Sequence, residues 1–232
     1  MNDLPIVYLG PSLPRAEAEG ILRARYCPPV RRGDLKAVEG APLVVVIDGE
    51  FGQNLSVSPK EILRLLDAGT RVLGASSMGA LRAAELFPYG MEGHGWIFEN
   101  YKSGRITGDD EVALAYSPID QSPLTVPLVN VRRWLEILQA AGTVDGKTAR
   151  QMFRQARGIF FADRTIDRLR DSFRSILDGP VLARVLRDYN DITDVKAADA
   201  RLVLAYAASL SFTESRTKEH YYGNQEEQPA RT

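Results

Sequence analysis

Residues 71–86 read Arg71-Val72-Leu73-Gly74-Ala75-Ser76-Ser77-Met78-Gly79-Ala80-Leu81-Arg82-Ala83-Ala84-Glu85-Leu86. A short apolar strand, 71–74, passes through small residues into a helix over 78–86, which Pro88 stops. The same alternation precedes it. Leu43-Val44-Val45-Val46-Ile47 is a continuous apolar run, the composition of a strand covered on both faces. It ends at Asp48-Gly49. After a polar loop over 50–57, Ser58 supplies an N-cap, Pro59 takes the first helical position and Glu61 completes a capping box. Earlier still, Pro5-Ile6-Val7-Tyr8-Leu9 stops at Gly10-Pro11-Ser12, and 15–24 has helical spacing. Strand and helix alternating at this interval predict an α/β fold with a parallel sheet and right-handed crossovers.

Beyond residue 90 the character changes. Gly90, Gly93, Gly95 and Gly104 surround Trp96, Phe98 and Tyr101, an aromatic-rich segment, and Gly93-His94-Gly95 reads as a flexible loop. An acidic turn at 108–111 and a strand over 112–116 follow. Helices are expected over 131–141, 146–159, 165–177, 181–188 and 195–209. The expectation is therefore an N-terminal parallel sheet with flanking helices, followed by a mostly helical C-terminal half. In domain terms this is an α/β core at 1–120, a helical annex at 121–212 and a polar, disordered tail at 213–232.

Composition narrows the functional classes. With 232 residues, 44 % hydrophobic and 25 % charged, the chain can bury a core without disulfides or metals. A net charge of −1 gives no overall attraction to nucleic acid or to an anionic membrane, with Arg31, Arg32 and Lys36 the one local basic group. The single cysteine, Cys27, precludes an intramolecular disulfide and reads as a structural thiol. The N-terminus has no basic region, and no run approaches the roughly 20 apolar residues of a membrane span. The expected location is cytoplasmic, with no cofactor and no metal.

The chemistry is expected between the third strand and its helix. Ser77 is central to Ala75-Ser76-Ser77-Met78-Gly79, a small-x-Ser-x-small pattern of the kind that forms a nucleophile elbow. A sharp turn there would lift a hydroxyl above the sheet edge, and the amides of the next helix, with Ser76 and Met78, could hold an oxyanion. The competing reading is that Ser76-Ser77 simply caps a tightly packed helix. A nucleophilic serine needs a base, and two candidates stand open: His94, in Gly93-His94-Gly95, and Lys60, in the first turn of the preceding helix. His220 lies in the polar tail. Asp48 and Glu50 follow the second strand and should reach the same edge as Ser77, beside Gly49, Gly10 and Ser12. Arg82 and Glu85 either pair with each other or, through Arg82, hold a ligand carboxylate. Asp109, with Asp110 and Glu111, reads as a turn rather than a metal cluster. Gly10-Pro11-Ser12 lacks the second glycine and the lysine of a phosphate-binding loop.

Taken in order, Leu9-Gly10-Pro11-Ser12-Leu13, Arg32-Gly33-Asp34-Leu35, Ile47-Asp48-Gly49, Lys60-Glu61-Ile62-Leu63, the block from Gly74 to Leu86, Gly90-Met91-Glu92-Gly93 and Asp109-Asp110-Glu111-Val112 resemble the ordered blocks of TfuA-like proteins. The helical half matches more loosely, through 127–132 and Asp194-Val195-Lys196. The resemblance implies a partner of YcaO proteins, which activate a backbone amide with ATP so that sulfide replaces its oxygen, giving thioamides in ribosomal peptides. Joined to the elbow, it suggests that Ser77 attacks the thiocarboxylate of a ThiS-type sulfur carrier and expels sulfide. The other readings are a non-catalytic adaptor for the YcaO protein or its precursor peptide, and a hydrolase of the modified peptide. The apolar helices after residue 129 offer a surface for a homodimer or a partner.

Overall fold

The computed structural model describes residues 4–52, 54–187, 189 and 194–223, with 211–223 as backbone alone. The expectations for residues 1–3, Asp188, the His220 side chain and residues 224–232 fall outside the described residues. The sheet is built from β1 (Ile6–Tyr8), β2 (Arg25–Cys27), β3 (Leu43–Val46), β4 (Arg71–Ala75) and β5 (Glu92–His94), in the order β2-β1-β3-β4-β5. Every pairing is parallel. The helices α1 (Arg15–Ile21), α2 (Pro59–Asp67), α3 (Met78–Leu86) and α4 (Trp96–Lys102) accompany the strands. Then come α5 (Leu128–Ala140), α6 (Gly146–Arg157), α7 (Ile166–Phe173), α8 (Gly179–Arg187) and α9 (Val195–Gly223). The expected α/β fold with a helical C-terminal half is therefore the observed one.

The strands are apolar at every central position because both faces are covered. Ile6, Tyr8, Val44, Val46 and Val72 point to one side, where Ile62 and Leu65 of α2 and Ala80, Ala83 and Leu86 of α3 bury them. Val7, Val45, Ile47, Leu73 and Ala75 point to the other, where α1 supplies Ala18 and the half-buried Ile21. The remaining cover comes from the end of the chain: Ala197, Ala200, Val203, Leu204 and Ala207 of α9 complete that face. By packing, α9 belongs to the sheet, although its sequence position groups it with the helical half.

The helices α5 to α8 enclose a separate core around Trp134, Leu138, Met152, Leu169 and Phe173. Arg164 is buried at its centre and donates to the carbonyls of Ala156, Val126 and Ile159. Those bonds replace the water that a buried guanidinium would otherwise lose.

Several expectations are corrected. Residues 112–116 are not a strand. A 3₁₀ turn at Asp109–Glu111 leads into an extended segment whose one bridge is Tyr116 to Pro123. The turn is pinned because the Glu111 carboxylate is buried and bonded twice by Arg132. The loop expected at 93–95 instead belongs to β5, the aromatic segment after it forms α4, and the sheet edge at β2 carries a strand where none was expected. Each of these strands has only three residues, too few to show a period. Backbone helix runs to Gly223, past the point at residue 213 where the tail was expected to begin. Among the described residues no helix is long and apolar enough to cross a membrane.

Candidate functional site

The strand order places β1 between β2 and β3: the chain leaves it towards β2 on one side and returns to β3 on the other. The carboxyl ends of β1 and β3 thus diverge, and the crevice between diverging loops is where open α/β sheets bind ligands. Gly10 and Ser12 follow β1, and Asp48 follows β3. The Asp48 carboxylate accepts from the Gly10 amide at 2.9 Å, the Ser12 amide at 3.1 Å and the Ser12 hydroxyl at 2.6 Å. A Cβ at Gly10 would stand 2.5 Å from the Pro29 ring, so only glycine lets the backbone approach this closely. Asp48 is buried, and three donors on one carboxylate hold it in a single orientation.

β4 delivers the serine pair to the same crevice. Ser76 has φ +67°, a conformation that costs a non-glycine residue of order 1–3 kcal/mol. The bend is sharp enough that α3 begins at Met78. Gly79 is what makes the bend fit: a Cβ there would lie 1.8 Å from the Val46 carbonyl oxygen. Ser76 is sealed from solvent, and its hydroxyl donates to Ser12 Oγ at 2.8 Å, which extends the chain Ser76–Ser12–Asp48.

Ser77 is different. It is 2 % exposed yet lines a cleft of about 160 Å³, together with Asp48, Gly49, Glu50 and Lys196. Its hydroxyl has no hydrogen-bond partner among the described residues. The amides of Ser77 and Gly79 both donate to the Ile47 carbonyl at 3.3 Å, so they are not the open oxyanion cradle expected of the helix start. The Met78 amide makes no hydrogen bond among the described residues.

The lysine of the cleft is Lys196, from the first turn of α9. Its ammonium donates to the Val112 carbonyl at 3.0 Å and lies 4.0 Å from Asp48 Oδ1. Attraction at that separation is about 4 kcal/mol at the effective dielectric of a protein. Withdrawing an ammonium from water costs several kcal/mol. Burial wins, and it pushes the Lys196 pKa down, against the opposing pull of Asp48 and Asp194. Across the cleft, Glu50 accepts from the Tyr116 hydroxyl at 2.6 Å, and burial together with Glu50 pushes that phenol up to about 12.

The expected site residues divide between this cleft and elsewhere. Ser77, Asp48 and Gly49 line it, and Ser76, Ser12 and Gly10 support it from behind. Lys60 does not arrive: it is exposed on α2, away from the cleft lining. His94 is also absent from that lining. It lies in β5, its ring 4.3 Å from the Tyr206 ring, with Nε2 buried and unpartnered among the described residues. Burial lowers its pKa. Arg82, Glu85 and Asp109 open onto a second, wider cleft of about 600 Å³ on α3, which Met78 also lines. There Arg82 bonds Glu85 at 2.7 Å and the Val57 carbonyl at 2.9 Å. Lys196 carried no recognisable signal as a site residue, since a lysine in a helix start ordinarily faces solvent. Its only mark was the Asp194-Val195-Lys196 block.

No curated protein matches the chain. The family model described as TfuA-like protein matches residues 48–165, a span that begins at the buried aspartate and includes the serine elbow. That is just over half of the 232 residues, and the chain belongs to the TfuA-like family.

Proposed function

We propose that this protein releases sulfide from a thiocarboxylated, ThiS-type carrier protein for a YcaO enzyme that installs backbone thioamides. The observation that carries the reading is one shared cleft: Ser77, with an unengaged hydroxyl, and Lys196, a lysine stripped of water, both line it. A lysine so placed is a competent base because burial favours its neutral amine. Family resemblance supports the YcaO protein as partner, the serine elbow joined to it suggests the carrier, and Lys196 takes the role for which Lys60 and His94 were the sequence candidates.

In the first step Ser77 Oγ attacks the thiocarboxylate carbon while Lys196 Nζ takes the hydroxyl proton. The C–S bond then breaks, and the departing sulfur takes that proton from Lys196. Water next attacks the seryl ester with Lys196 again as base, and Ser77 recovers its proton as the carrier leaves as its carboxylate. Thiocarboxylate and water thus give carboxylate and hydrogen sulfide, with no oxidant or reductant. The Met78 amide is the group on this turn left to meet the developing oxyanion. Asp48 holds the positive charge that Lys196 carries between steps.

The test is to incubate the purified chain with thiocarboxylated carrier and follow the carrier's mass. Sulfur is lost with the wild type and retained with Ser77→Ala. Retention with both proteins rejects hydrolysis and leaves an adaptor that docks the YcaO protein or its precursor peptide.

A further inference from the structure

The outer face of α6 carries a basic stripe, separate from the group at Arg31, Arg32 and Lys36. Lys147, Arg150, Arg154 and Arg157 follow one another at helical spacing, so they fall within an arc of about 80° and span about 15 Å of helix. All four are exposed, opposite the buried Ala149, Met152 and Ala156, and α6 itself contains no acidic residue. Arg150, Arg154 and Arg157 have no ion-pair partner among the described residues, whereas the neighbouring α7 pairs Arg170 with Asp167 and its end pairs Arg174 with Asp171. Asp145, beside Lys147, has its carboxylate engaged by the Thr148 amide at 2.7 Å. Arg154 and Arg157 complement the negative end of the helix dipole, but Lys147 stands at the positive end and gains nothing there. Like charges three and four residues apart repel, and an acidic partner relieves that repulsion.

We propose that this stripe docks an acidic face on the folded body of the carrier protein whose sulfur Ser77 releases. The inference rests on the hydrolytic reading above and adds the surface that recognises the carrier. Continuity with the cleft is what carries it. The chain leaves α6 at Arg157 and reaches Phe160 and Phe161, whose rings lie 4.5 Å apart. Phe161 forms a wall of the Ser77 cleft, and Phe160 beside it is 63 % exposed. The stripe therefore ends at the rim of the cleft. Arginines next to an exposed aromatic ring have the composition of a protein interface. The carboxylates of Asp48 and Glu50 in the cleft, and a net charge of −1 over the chain, disfavour a nucleic acid at the same place. A folded protein can present acid to the stripe and an apolar side chain to Phe160.

The probe is the thiocarboxylated carrier, its desulfurisation by the full chain followed by mass over a range of carrier concentrations. Arg150→Glu combined with Arg154→Glu reverses the centre of the stripe, and glutamate matches arginine in helix propensity, so α6 stays folded. This variant raises KM about tenfold or more and leaves kcat within about twofold, because exposed charges steer association and not chemistry. Lys36→Glu combined with Arg64→Glu makes the same change of net charge at other exposed positions and leaves both constants near those of the wild type. Raising the salt from about 0.05 to about 0.5 M raises the wild-type KM and narrows its gap from the stripe variant. Binding of labelled carrier to the Ser77→Ala chain, read by fluorescence anisotropy, reports docking without turnover and weakens with the same two reversals. An unchanged KM in the stripe variant, an equal rise in the Lys36 and Arg64 variant, or tighter binding of a single-stranded oligonucleotide than of carrier through the stripe overturns the proposal. Turnover with a KM indifferent to the stripe and to salt overturns the docking surface alone. Stripe-dependent binding of carrier without turnover overturns the hydrolysis alone.

Discussion

The two clefts on either side of the serine elbow are lined by similar residue types and differ in how those residues are held. In the wider cleft Arg82 and Glu85 neutralise each other in partial contact with water, an arrangement worth well under 1 kcal/mol. In the narrower one Asp48 and Lys196 are both buried, their groups are oriented by backbone donors and a backbone carbonyl, and they stand 4.0 Å apart. A charged pair on a helix face relaxes with the solvent. A buried pair fixed by the main chain keeps its geometry, and the lysine keeps its lowered proton affinity, which is what acid–base chemistry requires. Carboxylates and cations are therefore a poor guide to function until their burial is known.

The strongest challenge to this contrast is Lys196→Met. It should lower the rate of carrier desulfurisation by about 10²–10⁴-fold and lower the melting temperature as well, since the buried Asp48 carboxylate is left without its counter-charge. The pH profile carries the same signature. Burial depresses the Lys196 pKa below 10.5, so the free amine persists to lower pH than in an exposed lysine. The wild-type rate should rise with pH through that depressed value and fall on acidification, and the slope should vanish in the variant. A rate unaffected by Lys196→Met would remove the distinction between the clefts.

Gly79→Ala should act on the fold that creates the narrow cleft. Its Cβ would meet the Val46 carbonyl oxygen, which is backbone and cannot swing away. A loss of about 3 kcal/mol or more in unfolding free energy is expected, measurable by denaturant titration. Gly69→Ala, with open space around its Cβ but φ +82°, should cost no more than about 1–2 kcal/mol.

Asp199 offers a smaller, pH-dependent check on how α9 is docked. Its carboxylate accepts from the amides of Trp96 and Ile97 at the start of α4. Burial raises its pKa from 3.8 to about 6, outweighing those bonds. A raised acid binds more protons folded than unfolded, so its contribution is full below about pH 4 and is lost as pH rises through about 6. Unfolding free energy should fall over that window by on the order of 2–3 kcal/mol, and Asp199→Asn should flatten the fall. Smallest of all, Arg82→Ala or Glu85→Ala in the wider cleft should change turnover less than threefold and stability by under about 1 kcal/mol.

Much of the narrow cleft could be read from the residues, and the reason is strand geometry. Parallel strands end at one edge, so Gly10, Ser12, Asp48 and Ser77 had to converge once the strands at 6–8, 43–46 and 71–75 were recognised. The reading failed where convergence depended on packing. Lys60 and Arg82 lie at plausible distances along the chain but project from α2 and α3 away from the crevice. His94 was assigned to a flexible loop because Glu92–His94 is too short a strand to announce itself, and the aromatic ring of Tyr206 that covers it comes from α9.

What the sequence by itself determined is the run of β-branched strands, the capping box at Ser58 and Glu61, and the small residues that let the chain bend at Ser76. Those are local properties, set by backbone sterics and by period. What only the tertiary structure decided is the base. One face of β3 and β4 has no crossover helix to bury it, and α9 returns from the far end of the chain to do so. Lys196 reaches Asp48 as a consequence of covering that apolar face, and no pattern along the chain records a contact made for that reason.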